Sequence, residues 1–237
     1  MSDVFVGMVD FTRAVRTVWW LAATPVDHID NRIHVRVVAD HLLVMATQGY
    51  TMGCSRVCLE DVVAEPGESL MFDLSVEQAK ELVRAFKPSR DEAAMAQLLI
   101  RVVASRVVFE DVSGLLPGKR VELPLAEHEE FMNMPRLIAE VQAAPLRPVS
   151  KLRVSADKLK LFTQSVQTAG GDLRFFYTGA RDRILVTSGS SFRGVIGPGK
   201  EFVDEQEEEH FRSTEQEWND LMRHAASEHG WSRGEEA

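Results

Sequence analysis

Apolar positions along this chain fall into two alternating rhythms. Spacings of three and four, which line one face of a helix, open near Phe11, Val76 and Ser155. A short apolar run, which suits a buried strand, follows each of them roughly 28 residues later, over 41–47, 105–111 and 182–188. A pattern that returns three times points to an architecture stacked from like pieces.

The first piece predicts a strand over 4–9 and then a helix with Phe11, Val15, Val18 and Trp19 on one face, stopped by Pro25. Strands over 33–38 and 41–47 follow across an Asp40-His41 turn, with one more running through Leu59. After Pro66-Gly67 the second piece repeats the order: a strand over 69–74, Ser75 as N-cap of a helix through Phe86, and strands over 97–104, 106–112 and 119–125. The third predicts a strand over 151–154, a helix over 156–167 stopped at Gly170-Gly171, and strands over 172–177, 183–187 and 192–196. The expectation is an α+β fold of repeated βαβββ units, with helices on one face of antiparallel sheets. Two units make a complete domain over 1–132, a connector with a helix at 135–143 spans 133–150, and one unit makes half a domain over 151–199.

Composition narrows the class. The chain has 237 residues, 45% hydrophobic and 27% charged, as a globular protein does, and no apolar run is long enough to span a bilayer. A cytoplasmic location is expected. The net charge of −9 is uneven: residues 200–237 hold 12 acidic and 4 basic side chains, which leaves the preceding body near neutrality. That tail carries an acidic run over 201–209, and Thr214 with Glu217 can cap a last helix that puts Trp218, Leu221, Met222 and Ala225 on one face.

A neutral body still attracts phosphates if its charges are segregated. In the second helix Lys80, Arg84 and Lys87 share a flank away from the apolar face, though Glu77 and Glu81 sit beside them. The first helix offers Arg13 and Arg16, and the third unit offers Lys151, Lys158 and Lys160. Catalysis is not expected. The seven histidines lack metal spacing, no nucleophile sits on a recognisable turn, and 197–200 has neither the spacing nor the helix start of a phosphate loop. Cys54 and Cys58 alternate onto one strand face as ordinary thiols, and no cofactor or metal is expected.

Three segments carry a family likeness. Residues 44–52, V-M-A-T-Q-G-Y-T-M, are similar to the middle-domain V-A-T-D-G-H-R-L segment of bacterial β clamps; 130–135, E-F-M-N-M-P, resemble a loosened F-P segment; and 192–199, F-R-G-V-I-G-P-G, resemble the terminal strand ending in V-M-P. In this order, on three matching units, they make the chain resemble the DNA sliding clamps, shortened to the middle domain and the second half of the last. Gln48 and Tyr50 stand where the family has Asp and His.

The resemblance implies a processivity factor that encircles double-stranded DNA without reading its sequence, as a homo-oligomer, and tethers a DNA polymerase after delivery by a clamp loader. It also implies a hydrophobic pocket for partner peptides, carried over to Thr47, Gly49, Tyr50, Met52, Ile196 and Pro198. The stretch Lys158-Leu159-Lys160-Leu161-Phe162 superficially matches such a peptide, but its apolar residues are wanted by a helix core. The alternative is a clamp-derived interaction module that keeps the pocket and no longer encloses DNA.

Overall fold

The structure is a computed structural model that describes residues 3–22, 31–49, 51–63, 70–88, 91–116, 118–125, 132–147, 154–179 and 183–197, with 213, 216 and 217 beyond them. Strand β1 (Asp3–Gly7) leads directly into helix α1 (Met8–Val18), which tightens into a 3-10 turn over Trp19–Leu21. The alternation expected to continue to residue 9 ends at Gly7, because the Met8 N–H turns aside to the Ala96 carbonyl at 2.8 Å and the helix begins there. Strands β2 (Arg32–Val38), β3 (His41–Gln48) and β4 (Thr51–Val63) complete the first unit.

The second unit is β5 (Met71–Ser75), α2 (Val76–Ala85), β6 (Gln97–Val103), β7 (Arg106–Asp111) and β8 (Arg120–Pro124). Ser75 caps α2 as expected, in a reciprocal box: its hydroxyl accepts from the Gln78 N–H at 3.1 Å, and its own N–H donates to Gln78 Oε1 at 2.8 Å. Helix α3 (Met134–Ala143), capped by Asn133, forms the connector. In the third unit α4 (Ala156–Ala169) precedes β9 (Arg174–Tyr177), β10 (Ile184–Ser188) and β11 (Phe192–Ile196). Of the strand expected at 151–154, only Val154 is described, and it is not in a strand; Lys151 lies outside the described residues. So do Trp218, Leu221, Met222 and Ala225 of the expected last helix, although Ser213, Gln216 and Glu217 are helical.

The units interlock by exchanging their first strands. β1 pairs with β6 of the second unit, and β5 pairs with β2 of the first. One sheet therefore runs β5-β2-β3-β4 and continues through β11 and β10 to β9; the other runs from the end of β4 through β1, β6 and β7 to β8. All pairings are antiparallel. β4 is long enough to serve both sheets: residues 51–58 pair with β3 and 59–63 with β1.

Helices α1, α2 and α4 cover one face of these sheets. Phe11, Val15 and Val18 from α1, Leu82 from α2 and Phe162 from α4 share a core with Phe72, Phe109 and Phe192 from the strands. Phe11 and Phe72 each meet Phe109 at ring centroid distances of 5.8 and 5.7 Å. A second, smaller core lies on the opposite face, where Met134, Ile138 and Val141 of α3 cover Met45, Met52, Leu185 and Val195. Residues Met1–Gly197 pack as one unit, and Pro198–Ala237 form another.

The third unit joins the first through the β4–β11 pair, where Gly53 faces Gly194. A Cβ at Gly194 would stand 2.4 Å from the Phe162 ring and 2.9 Å from the Met52 carbonyl oxygen, and one at Gly53 would meet Leu21 and Phe192. The paired glycines thus open a slot into which the aromatic rings close, with Phe162 and Phe192 edge to face at 6.2 Å. At the far side of this unit, β9 is partly capped by the connector: Leu146 bridges Thr178, and Gly179 donates to the Pro145 carbonyl at 2.9 Å.

Candidate functional site

The helices that fill the core with one face turn the other outward, and cations gather there. α1 packs against both α2 and α4, so the three form one layer. Arg13 and Arg16 on α1, Lys80 and Arg84 on α2, Lys87 just beyond it and Lys160 on α4 are exposed, while Lys158 is half-buried. Arg13 is engaged with Asp10 at 3.1 Å. Among the described residues, Arg16, Lys80, Arg84, Lys87 and Lys160 form no ion pair. The acids of the same helices are Asp10, Glu77, Glu81 and Asp157, four against seven basic side chains, so this layer is positive although the whole chain carries −9.

Where the end of α1 meets the first turns of α2 and α4, a cavity of about 470 Å³ opens between Trp20, Lys80, Asp157 and Lys160. Trp20 is 39% exposed beside these charges. Among the described residues, the buried Trp19 Nε1 and Asn31 Oδ1 have no hydrogen-bond partner. The isolated pattern Trp19-Trp20 gave no sign of this cavity, since it takes three separate helices to enclose it.

Of the residues expected to hold a partner peptide, Thr47, Gly49, Met52 and Ile196 come to one end of the β3-β4-β11 sheet. Thr47 is opposite Met52 in the β3–β4 pair, and Ile196 is opposite Thr51 in the β4–β11 pair. Thr47 is buried, and its hydroxyl donates to the Thr51 carbonyl at 3.0 Å. Gly49 is exposed with φ of 58°, the left-handed conformation the tight β3–β4 turn requires. Tyr50 and Pro198 lie outside the described residues.

The pleat separates members of this set. Met52 faces away from the helices, in the core under α3, whereas Ile196 faces them, in the core with Phe162. The β11 residue on the Met52 side is Val195, its register partner. Sequence alternation marks both residues as apolar but does not say which of them turns toward α3, since that depends on the pairing with β4. α3 also leaves Met52 only 6% exposed.

Other polar groups are structural in character. His34 Nδ1 and Asp73 Oδ1 are 2.6 Å apart and buried across the β2–β5 pair, a contact between residues 39 apart in sequence that local pattern does not reveal. No three His, Cys, Asp or Glu side chains gather as a metal site among the described residues. No described helix is long and apolar enough to cross a membrane. Burial pushes the Cys54 thiol up to about 12, while Cys58 is exposed with its Sγ 3.7 Å from His41 Nε2. Iodoacetamide at pH 8 is therefore expected to label the exposed Cys58 first and the half-buried Cys54 more slowly until denaturant is added. Peptide mapping by mass spectrometry reads both, and equal labelling in the folded chain would contradict the burial.

No protein-family model and no curated protein matches this sequence. Solved structures do match the fold. It is similar to a putative DNA polymerase III β subunit from Eubacterium rectale, with a TM-score of 0.61 and 10% identity over 84% of this chain and 65% of that one. The DNA polymerase III β subunit of Thermotoga maritima gives 0.56 and 11% over 83% and 64%. The Helicobacter pylori β clamp, solved bound to a DNA ligase peptide, gives 0.52 and 9% over 85% and 69%. The chain spans a little under two thirds of the first two structures, and the fold they share with it is that of the sliding clamps.

Proposed function

From its sliding-clamp fold and its cation-rich helix layer, we propose that this chain is a shortened sliding clamp, a processivity factor that holds duplex DNA against α1, α2 and α4. The observation that carries the proposal is the coincidence of fold and charge: the helices that such a fold sets side by side are those on or just beyond which Arg16, Lys80, Arg84, Lys87 and Lys160 stand, with no ion pair among the described residues. With Arg13, Lys151 and Lys158 they make a surface that attracts phosphates and reads no bases, as sliding demands. The chemistry is binding, with no catalytic step.

In this reading the active form is a homo-oligomer whose copies close around the double helix. Among the described residues β8 pairs only with β7, and β9 only with β10 apart from the Leu146 bridge. These edges offer the backbone groups for head-to-tail joining of copies. A DNA polymerase or another peptide-bearing partner binds at the β3–β4 turn, through the residues that the clamp resemblance assigns to this role, Thr47, Gly49, Tyr50, Met52, Ile196 and Pro198, and a loader opens the ring.

Light scattering combined with retention on nicked circular and linear duplexes tests the proposal. A defined oligomer that stays on circles and runs off linear ends is the expected result. A monomer that ignores both substrates would leave the interaction-module reading, in which the fold is kept for peptide binding alone.

A further inference from the structure

On the face opposite the DNA-facing helices, basic residues line up across strands. The register sets Arg36, Leu43 and Arg56 in one row over β2, β3 and β4, and Cys54, Arg193, Thr187 and Arg174 in the next over β4, β11, β10 and β9. Between this strip and the flank of α3 lies a groove of about 320 Å³, with Leu43, Cys54, Pro135 and Ile138 as its apolar lining and Arg56 and Arg193 among its polar walls.

Both arginines are fixed in place by backbone. Arg56 Nε donates to the Ser190 carbonyl at 3.0 Å, and Arg193 Nη1 donates to the Gly189 and Phe192 carbonyls at 3.1 and 2.7 Å. A guanidinium has five N–H donors, so each keeps donors for a further acceptor without losing its charge. Neither forms a salt bridge among the described residues. The acids nearby in the fold have closer partners: Asp40 has His41 at 2.6 Å, although its carboxylate also feels Arg56, Asp73 has His34 at 2.6 Å, and Glu140 of α3 has Arg136 at 3.1 Å.

We propose that this groove is a docking site for an acidic partner segment, which places an apolar side chain between Leu43 and Ile138 and carboxylates on Arg56 and Arg193. Charge complementarity selects this occupant: among the described residues two arginines and no carboxylate line the groove, in a body that is otherwise close to neutral. The apolar floor selects a peptide over a nucleic acid, because a sugar-phosphate strand has nothing to bury there, while planar guanidiniums take carboxylates in paired hydrogen bonds. The site stands apart from the peptide-binding end proposed above, which lies at residues 47–52, whereas Leu43 and Arg56 lie toward the other ends of the same strands. It is also independent of DNA binding.

Fluorescence anisotropy with the full chain tests the site, using a labelled peptide in which Leu-Phe is flanked by two glutamates on each side. Saturable binding is expected, weakened at least tenfold when the glutamates become glutamines, when Leu-Phe becomes Ala-Ala, or in Arg56→Glu/Arg193→Glu. Arg56→Gln/Arg193→Gln, which removes charge without reversing it, is expected to lie between. Lys80→Glu/Arg84→Glu is expected to leave peptide affinity unchanged whatever it does to DNA. Absence of binding, equal binding of acidic and glutamine peptides, or indifference to both arginine variants would overturn the proposal. Displacement of the peptide by oligothymidylate at equal strength would overturn it in favour of a phosphate site.

Discussion

Reversing Lys80, Arg84 and Lys160 to glutamate together is expected to lower affinity for duplex DNA by on the order of 100-fold at moderate salt, without altering the fold. Each phosphate contact that a cation makes releases condensed counterions, so each one lost flattens the dependence of log affinity on log salt by about 0.9. Three such losses are large enough to be read from a titration over 50–300 mM salt. The positions suit the test because they are exposed and have no ion-pair partner among the described residues, so their reversal breaks no internal contact. Arg13 makes a weaker probe, since Asp10 already holds it at 3.1 Å. An unchanged salt slope, with the melting temperature also unchanged, would remove DNA from the function and leave the interaction module.

The second large effect is structural. Gly194→Val is expected to destabilise the chain by about 1–3 kcal/mol, the usual cost of forcing atoms into a filled core. For a chain of this size that is about 2–4 °C of melting temperature per kcal/mol. The added Cβ meets the Phe162 ring, which can shift, and the Met52 carbonyl oxygen, which belongs to the paired strand and cannot shift without breaking the β4–β11 ladder. Phe162→Leu in the same chain is therefore expected to recover part of the loss, and a double-mutant cycle by thermal melting measures how much. Full additivity of the two substitutions would mean that the glycine slot does not hold the third unit to the first.

Much of this fold is legible in the residues themselves. Ser75 with Gln78 announces the start of α2, Gly170 marks the end of α4, and the spacing of Phe11, Val15 and Val18 gives the buried face of α1, because each is a local signal within one or two turns. What is not legible depends on distant partners. The exchange of β1 and β5 between units leaves each strand's own pattern unchanged. The choice between Val195 and Ile196 for the α3 side is set by the register with Thr51 and Met52, more than 140 residues earlier. The cations were legible as a face of each helix, but their assembly into one layer required α1 to pack against both α2 and α4. The arginine strip carries no local signal, since Arg36, Arg56 and Arg193 come from three strands and become neighbours only through pairing.

The length of β4 has a consequence for how the molecule comes apart. Its residues 51–58 are bonded into one sheet and 59–63 into the other, so fraying on either side must tear at a strand the other side still uses. Cooperativity is thereby built into the backbone: the slowest-exchanging amides are expected along this shared spine, and states with one half melted and the other intact are suppressed.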